Sequence, residues 1–140
     1  MCFFLISDSS LQPAFFAFLK QNPFTLTGIH DVVKFDKVTV NRGEGYNPST
    51  GVFTAPRKGL YHMSCSIMAY SSNGVHYQLN QNNAFHTYGY ANTGGSTVSS
   101  INAIVEMKKG DRVFIKHSTT KSQKIHGNHH SGFSGYFMQE

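Results

Sequence analysis

Tryptophan is absent, and carboxylates are scarce: seven Asp and Glu stand against twelve Lys and Arg. The few acids are spread along the chain, and no pair recurs at a spacing suited to general acid–base work. No Gly-x-Ser-x-Gly elbow, phosphate loop or dinucleotide fingerprint is present. The chain is therefore not expected to be an enzyme. No apolar run approaches the ~20 residues of a helical membrane span, and no Gly-X-Y repeat occurs, which excludes a collagen triple helix within this sequence. Lys and Arg are scattered rather than clustered with interleaved aromatics, so nucleic acid is not an expected partner. Only two cysteines occur, Cys2 and Cys65. A bridge between them would need the terminus to reach a core strand and is not expected.

What the chain has instead is Phe and Tyr, twelve and seven of them, with thirteen glycines and eight histidines. At 140 residues one domain buries about 70% of its unfolded surface, enough to fold without staples. The formal charge is +5 with histidine neutral, and the histidines add to it below about pH 6.5. A basic surface of this kind suits a soluble domain, or one with affinity for acidic polysaccharide or lipopolysaccharide.

Residues 35–65 organise the rest. Over residues 59–67, Tyr61, Met63, Cys65 and Ile67 fall on one parity, and Leu60, His62, Ser64 and Ser66 on the other. This period of two marks a strand with one apolar face. Cys65 lies on that face, where a buried free thiol is the ordinary state. The segment before it is punctuated by Gly43, Gly45, Asn47-Pro48 and Thr50-Gly51, so the chain turns repeatedly first.

The other segments repeat the theme. The opening run Cys2-Phe3-Phe4-Leu5-Ile6 has no basic lead and no cleavage site; a truncated signal, a leader scar and a plain flank all fit. Residues 1–12 are read as this flank and 13–140 as one globular domain. Ala14-Phe15-Phe16-Ala17-Phe18-Leu19 fits a helix turn or a buried strand equally by periodicity. Residues 21–31 read as a long loop, and 32–40 as an extended apolar segment. Ser71-Ser72-Asn73-Gly74 is a hairpin turn signal, after which Val75, Tyr77 and Leu79 alternate with His76, Gln78 and Asn80. The next strand carries Phe85 on one parity and His86, Tyr88 and Tyr90 on the other, and residues 92–96 turn. Residues 98–107 form the longest strand candidate, with Ile101, Ala103, Val105 and Met107 on one face. Lys108-Lys109-Gly110-Asp111 turns the chain into Val113 and the strand ending at His117, and residues 118–131 read as a long exposed loop. Eight to ten short strands and no helix predict an all-β, two-sheet antiparallel sandwich.

The ordered set Phe35, Asn41, Tyr46, Phe53, Gly59 and Tyr61 resembles the signature of the globular C1q domain, within the C1q and tumour-necrosis-factor superfamily. Met63 and Cys65 replace the next two aromatics of that pattern. Gly110-Asp111-Arg112-Val113 and Phe133-Ser134-Gly135-Tyr136-Phe137-Met138 resemble two further family segments, so the likeness spans residues 13–138. It decides for a first strand at Ala14-Phe15. It also implies a jelly roll of about ten strands, a homotrimer and a secreted protein, and the lack of a Gly-X-Y repeat makes the chain similar to stalkless invertebrate members. Family calcium sites use acids; the corresponding Ser72-Asn73-Gly74 has none, so calcium is not expected.

Apolar residues on both parities at Phe15, Phe16 and Phe18, and again at Val113, Phe114 and Ile115, exceed what one sandwich interior absorbs. Phe15, Phe16, Phe18 and Phe114 are therefore expected at the trimer interface. Loop and strand residues Tyr88, Tyr90, Lys121, Lys124, His126, His129 and His130 are the expected ligand contacts, since rings and polar donors suit sugars and cations suit anionic groups. The implied function is innate-immune pattern recognition of carbohydrate or microbial surface polysaccharide, without a required cofactor. An alternative is a matrix, biomineral or metal-handling protein: His126, His129 and His130 share one loop, His117 ends the strand before it, and imidazole binds zinc, copper or nickel. Signalling through a receptor is a third reading, with no feature of its own in the sequence.

Overall fold

The protein is described by a computed structural model covering residues 11–70, 74–92 and 97–140. The N-terminal apolar run with Cys2, residues 71–73 of the hairpin turn and residues 93–96 of the following turn lie outside the described residues. The described chain holds twelve strands and no helix. In order these are β1 (Ala14–Phe18), β2 (Phe24–Leu26), β3 (Lys37–Arg42), β4 (Tyr46–Asn47), β5 (Val52–Thr54) and β6 (Gly59–Met68). The second half supplies β7 (Val75–Gln81), β8 (Ala84–Ala91), β9 (Val98–Met107), β10 (Arg112–His117), β11 (Gln123–Ile125) and β12 (Gly132–Gln139).

Two five-stranded antiparallel sheets form the sandwich, in the orders β3-β1-β12-β6-β9 and β4-β5-β10-β7-β8. The first and last strands pair at the centre of the first sheet, Phe16 opposite Ser134, which is the jelly-roll arrangement. The parity of β6 is as the sequence reads: Tyr61, Met63, Cys65 and Ile67 are buried, and their alternates face outward. In β9, Val105 and Met107 are buried, with Ile101 and Ala103 packed against the core. Aromatic rings fill the centre. Phe15 stacks on Tyr46 at 5.2 Å and on Phe53 at 4.7 Å, and meets Phe133 edge-on at 4.9 Å. Burial of such side chains supplies roughly 1.5–3 kcal/mol each before entropy is charged against it.

Four expectations change. Phe15, expected at an interface, is 2% exposed and belongs to the core; its neighbour Phe16 points outward. Phe114 also faces outward, but on the other sheet, between buried Val113 and Ile115. Phe16 and Phe114 therefore share no face. The segment 118–131 is not an exposed loop: β11 pairs with β2, Gln123 opposite Leu26, and Gln123, Ile125 and Ser131 are buried. This ribbon also splits the loop expected over 21–31. It docks on the end of β6, where His126 N donates to Met68 O and Tyr70 N to Lys124 O.

The fourth change concerns β8. A bulge opposite Leu79 and Asn80 pairs Thr87 with Leu79 and Phe85 with Asn80, leaving His86 between them without an opposite residue. One extra residue inverts the parity beyond it. Phe85 consequently joins Tyr88 on the outer face, the two rings 4.1 Å apart.

Candidate functional site

The seven expected ligand contacts separate into two regions. Tyr88 and Tyr90 lie on the outer face of the second sheet, on its edge strand β8, and Tyr88 is 65% exposed. Their inward alternates are Thr87, Gly89 and Ala91, opposite Leu79, Tyr77 and Val75. Gly89 has a physical reason to lack a side chain: a Cβ there would sit 2.2 Å from the ring of fully buried Tyr77. The backbone of β8 thus lies close on the core, and the alternate rings stand out as a row of Phe85, Tyr88 and Tyr90.

Across the sheet from that row run His76, Gln78 and Asn80 of β7, opposite Tyr90, Tyr88 and Phe85 respectively. Gln78 Nε2 donates to Asn80 Oδ1, and the His76 ring lies 4.3 Å from that of Tyr90. Next to them Phe114 and Lys116 of β10 line a groove of about 380 Å³ with His30, Val32, Asn80, Asn82 and Asn83. Lys116 Nζ lies 2.9 Å from His30 Nδ1. The face therefore offers flat apolar rings beside amide donors and acceptors, with a single lysine at its margin. Such a mixture can stack on the apolar face of a polyhydroxyl ligand while bonding its hydroxyls. A larger cavity of about 650 Å³ opens at one end of the sandwich, but Lys58, Lys108, Glu106, Asp111 and Glu140 line it with both signs of charge and no aromatic ring.

The second region is the turn after β11. His126 and His130 meet edge to face with ring centroids 4.5 Å apart, and His126 also meets Tyr70. His129 turns away onto Phe18, 4.1 Å between rings. Gly127 holds the turn against the chain, since a Cβ would fall 1.8 Å from the carbonyl oxygen of Gln21. No group of three or more His, Cys, Asp or Glu suited to a metal occurs among the described residues. Lys121 and Lys124 are exposed, the former between β10 and β11 and the latter on β11.

His117 does not join these histidines. It is fully buried, with Nδ1 2.9 Å from the Gly28 carbonyl oxygen and Nε2 3.0 Å from Gln123 Oε1. Its backbone N–H donates to Asp31 O. The Asp31 carboxylate accepts from the amides of Gly28 and Thr27, which hold its pKa below the usual carboxylate value. Burial pushes the Cys65 thiol up, so it is a poor nucleophile at neutral pH.

The C1q domain model matches residues 14–138. The chain belongs to the C1q domain family. Over 135 residues it is 30% identical to complement C1q tumor necrosis factor-related protein 3 of Mus musculus, covering 93% of this chain and 52% of that protein. Over 120 residues it is 28% identical to the heavy metal-binding protein HIP of Mytilus edulis, covering 84% of this chain and 56% of that one. The chain thus spans about half the length of the curated relatives it matches. The globular domain of zebrafish complement 1qA protein superposes with a TM-score of 0.74 at 17% identity, over 91% of this chain and 98% of the other; at that identity the likeness is one of fold. Within this C1q domain the signature residues do structural work at the core, and none of them lies in the aromatic row of β8. Phe85, His76, Gln78 and Asn80 escape sequence reading as site residues, because only the bulge and the strand register bring them beside Tyr88 and Tyr90.

Proposed function

We propose that this C1q domain is a secreted, non-enzymatic recognition protein that binds carbohydrate, including microbial surface polysaccharide or lipopolysaccharide, in innate immunity and acts as a homotrimer. The observation that carries the reading is the exposed ring row Phe85, Tyr88 and Tyr90 alongside the amides of Gln78 and Asn80. Exposed large aromatics cost solvation unless they have a use, and sugars offer both the apolar faces and the hydroxyls that this surface matches. Lys121 and Lys124 add positive charge for anionic glycans. The homotrimer draws support from the outer face of the first sheet, where Phe16, Val40, Tyr136 and Ile104 are exposed together, Ile104 at 62%.

A glycan array with purified protein, run with and without divalent metal, tests the recognition function. Tyr88→Ala and Tyr90→Ala should each weaken a glycan hit about tenfold. Absence of any hit, or unchanged binding by both variants, would refute the reading.

A second reading is metal handling, favoured by the adjacent rings of His126 and His130 and by the heavy metal-binding protein among the relatives. Two imidazoles from one turn can chelate copper or zinc, and His129 would add a third on leaving Phe18. Calorimetry with copper, zinc and calcium decides it: micromolar binding lost in His126→Ala supports the reading, and no heat at micromolar protein removes it.

A further inference from the structure

Gln123 lies far in sequence from the ring row yet holds His76, the cross-strand partner of Tyr90. It is 1% exposed, and its Oε1 accepts from the backbone N–H of His76 at 2.8 Å. A backbone amide can only donate, so this bond fixes which end of the Gln123 carboxamide is oxygen. The same oxygen lies 3.0 Å from His117 Nε2, but it is the His76 amide that sets the orientation. Gln123 Nε2 is consequently the donor to His76 Nδ1, 2.8 Å away. An Nδ1 that accepts a proton-bearing partner carries no proton itself, so the neutral His76 ring keeps its proton on Nε2.

That ring lies against Tyr90 at 4.3 Å and 31°, on the face where Gln78 and Tyr88 are the next cross-strand pair. Among the described residues His76 Nε2 has no hydrogen-bond partner. We propose that His76 is a sugar-contacting residue whose Nε2–H, locked as a donor by buried Gln123, bonds a hydroxyl or ring oxygen of a pyranose stacked on Tyr90. This rests on the carbohydrate reading of the same face. Gln123 is the positioning residue: it touches no ligand and acts only through the imidazole.

A ring with its proton on Nδ1 would set two donors against each other across 2.8 Å, so the Nε2–H tautomer is the one this place accepts. The titratable groups around His76 are Tyr90 from β8, His117 from β10 by way of Gln123, and Lys116 one pair along on β10 opposite Gln78. Lys124 projects outward from the same short strand as Gln123.

Two measurements test this. Nitrogen-15 spectra of the free protein read the His76 tautomer directly; a proton on Nε2 is expected, and a proton on Nδ1 overturns the proposal whatever the glycan result. Binding of the best array glycan is then compared for wild type, His76→Phe and Gln123→Glu. The phenyl ring keeps the stacking and loses the donor, so about a five- to tenfold loss is expected. The glutamate accepts from Nδ1–H and moves the ring proton, so it should cause a similar loss with an inverted tautomer signal. If Gln123→Glu fails to fold, His76→Phe alone decides. Equal binding by wild type and His76→Phe sinks this proposal while leaving carbohydrate recognition intact; no binding by wild type sinks the recognition reading itself.

Discussion

The side chain of Asn41 grips the backbone of Tyr46 at both polar groups: Nδ2 donates to the Tyr46 carbonyl at 2.8 Å, and Oδ1 accepts its N–H at 3.0 Å. Tyr46 passes the constraint inward, its hydroxyl donating to Phe35 O and accepting from Phe35 N. Two signature residues thus tie a turn to buried Phe35, which lies between the named strands. Tyr46→Phe would leave both Phe35 groups unsatisfied in the core, so it should cost about 1–3 kcal/mol in urea unfolding. Asn41→Ala should cost a similar amount. A change below about 0.5 kcal/mol in both would mean that water replaces these bonds freely.

Gly89 is a sharper test of how closely β8 approaches the core. Gly89→Ala puts a methyl into the Tyr77 ring, which is wholly buried and bonded to Ser99 through its hydroxyl. Overpacking of this kind costs about 1–3 kcal/mol. Since β8 carries Tyr88 and Tyr90, the alanine variant should also weaken any glycan binding without touching a ligand. Full thermal stability in Gly89→Ala would show that the strand can lift from the core without cost.

The sandwich was legible in the sequence wherever alternation was long. The ten-residue strands β6 and β9 have their inward faces where period-two reading puts them, because a one-residue slip would turn a whole apolar face to water. Short elements were not legible. The ribbon of β2 and β11 has three residues a side, and its partners stand about a hundred positions apart, so no local pattern signals it. Buried Gln123 looks like a loop polar residue, and His117 like a strand end facing the loop histidines, until their close contact is seen. At β8 the bulge at His86 reverses parity midway, which is why Phe85 is misread as facing away from Tyr88. Phe15 and Phe16 were both greasy, and only pairing with β12 decides which one turns inward.

Asp31 and Asp111 make acid stability predictable in sign. The Asp111 carboxylate accepts from Lys108 N, Asn82 Nδ2 and Gln81 Nε2, and both acids have pKa values lowered chiefly by backbone amides. A depressed folded value means that the ionised form is bound more tightly in the native state. The contribution is complete above the unfolded carboxylate value of about 4 and disappears as pH falls through the lower folded value. Asp31→Asn/Asp111→Asn should therefore be less stable than wild type at pH 7, with the gap closing toward about pH 2. Both groups are only half-buried, so salt will shrink the gap. A gap that widens on acidification would reverse the assignment.

The proposed homotrimer would bury the outer face of the first sheet. Phe16 stands beside Val40 on β3 and Ser134 on β12, and one register step along, Tyr136 pairs with His62, which pairs with Ile104. Rings and branched side chains here are separated by the small residues Ser134, Ser64 and Ser66, so another subunit can approach closely. A charge at the middle of such a surface must be buried unpaired on association. Phe16→Glu and Ile104→Glu should each weaken self-association on the order of a hundredfold or more, while circular dichroism and unfolding midpoint of the dilute protein change little. Sedimentation velocity at micromolar concentration reads the outcome. Wild type must sediment at three chain masses and the variants at one; a wild-type monomer would leave this face without its proposed occupant.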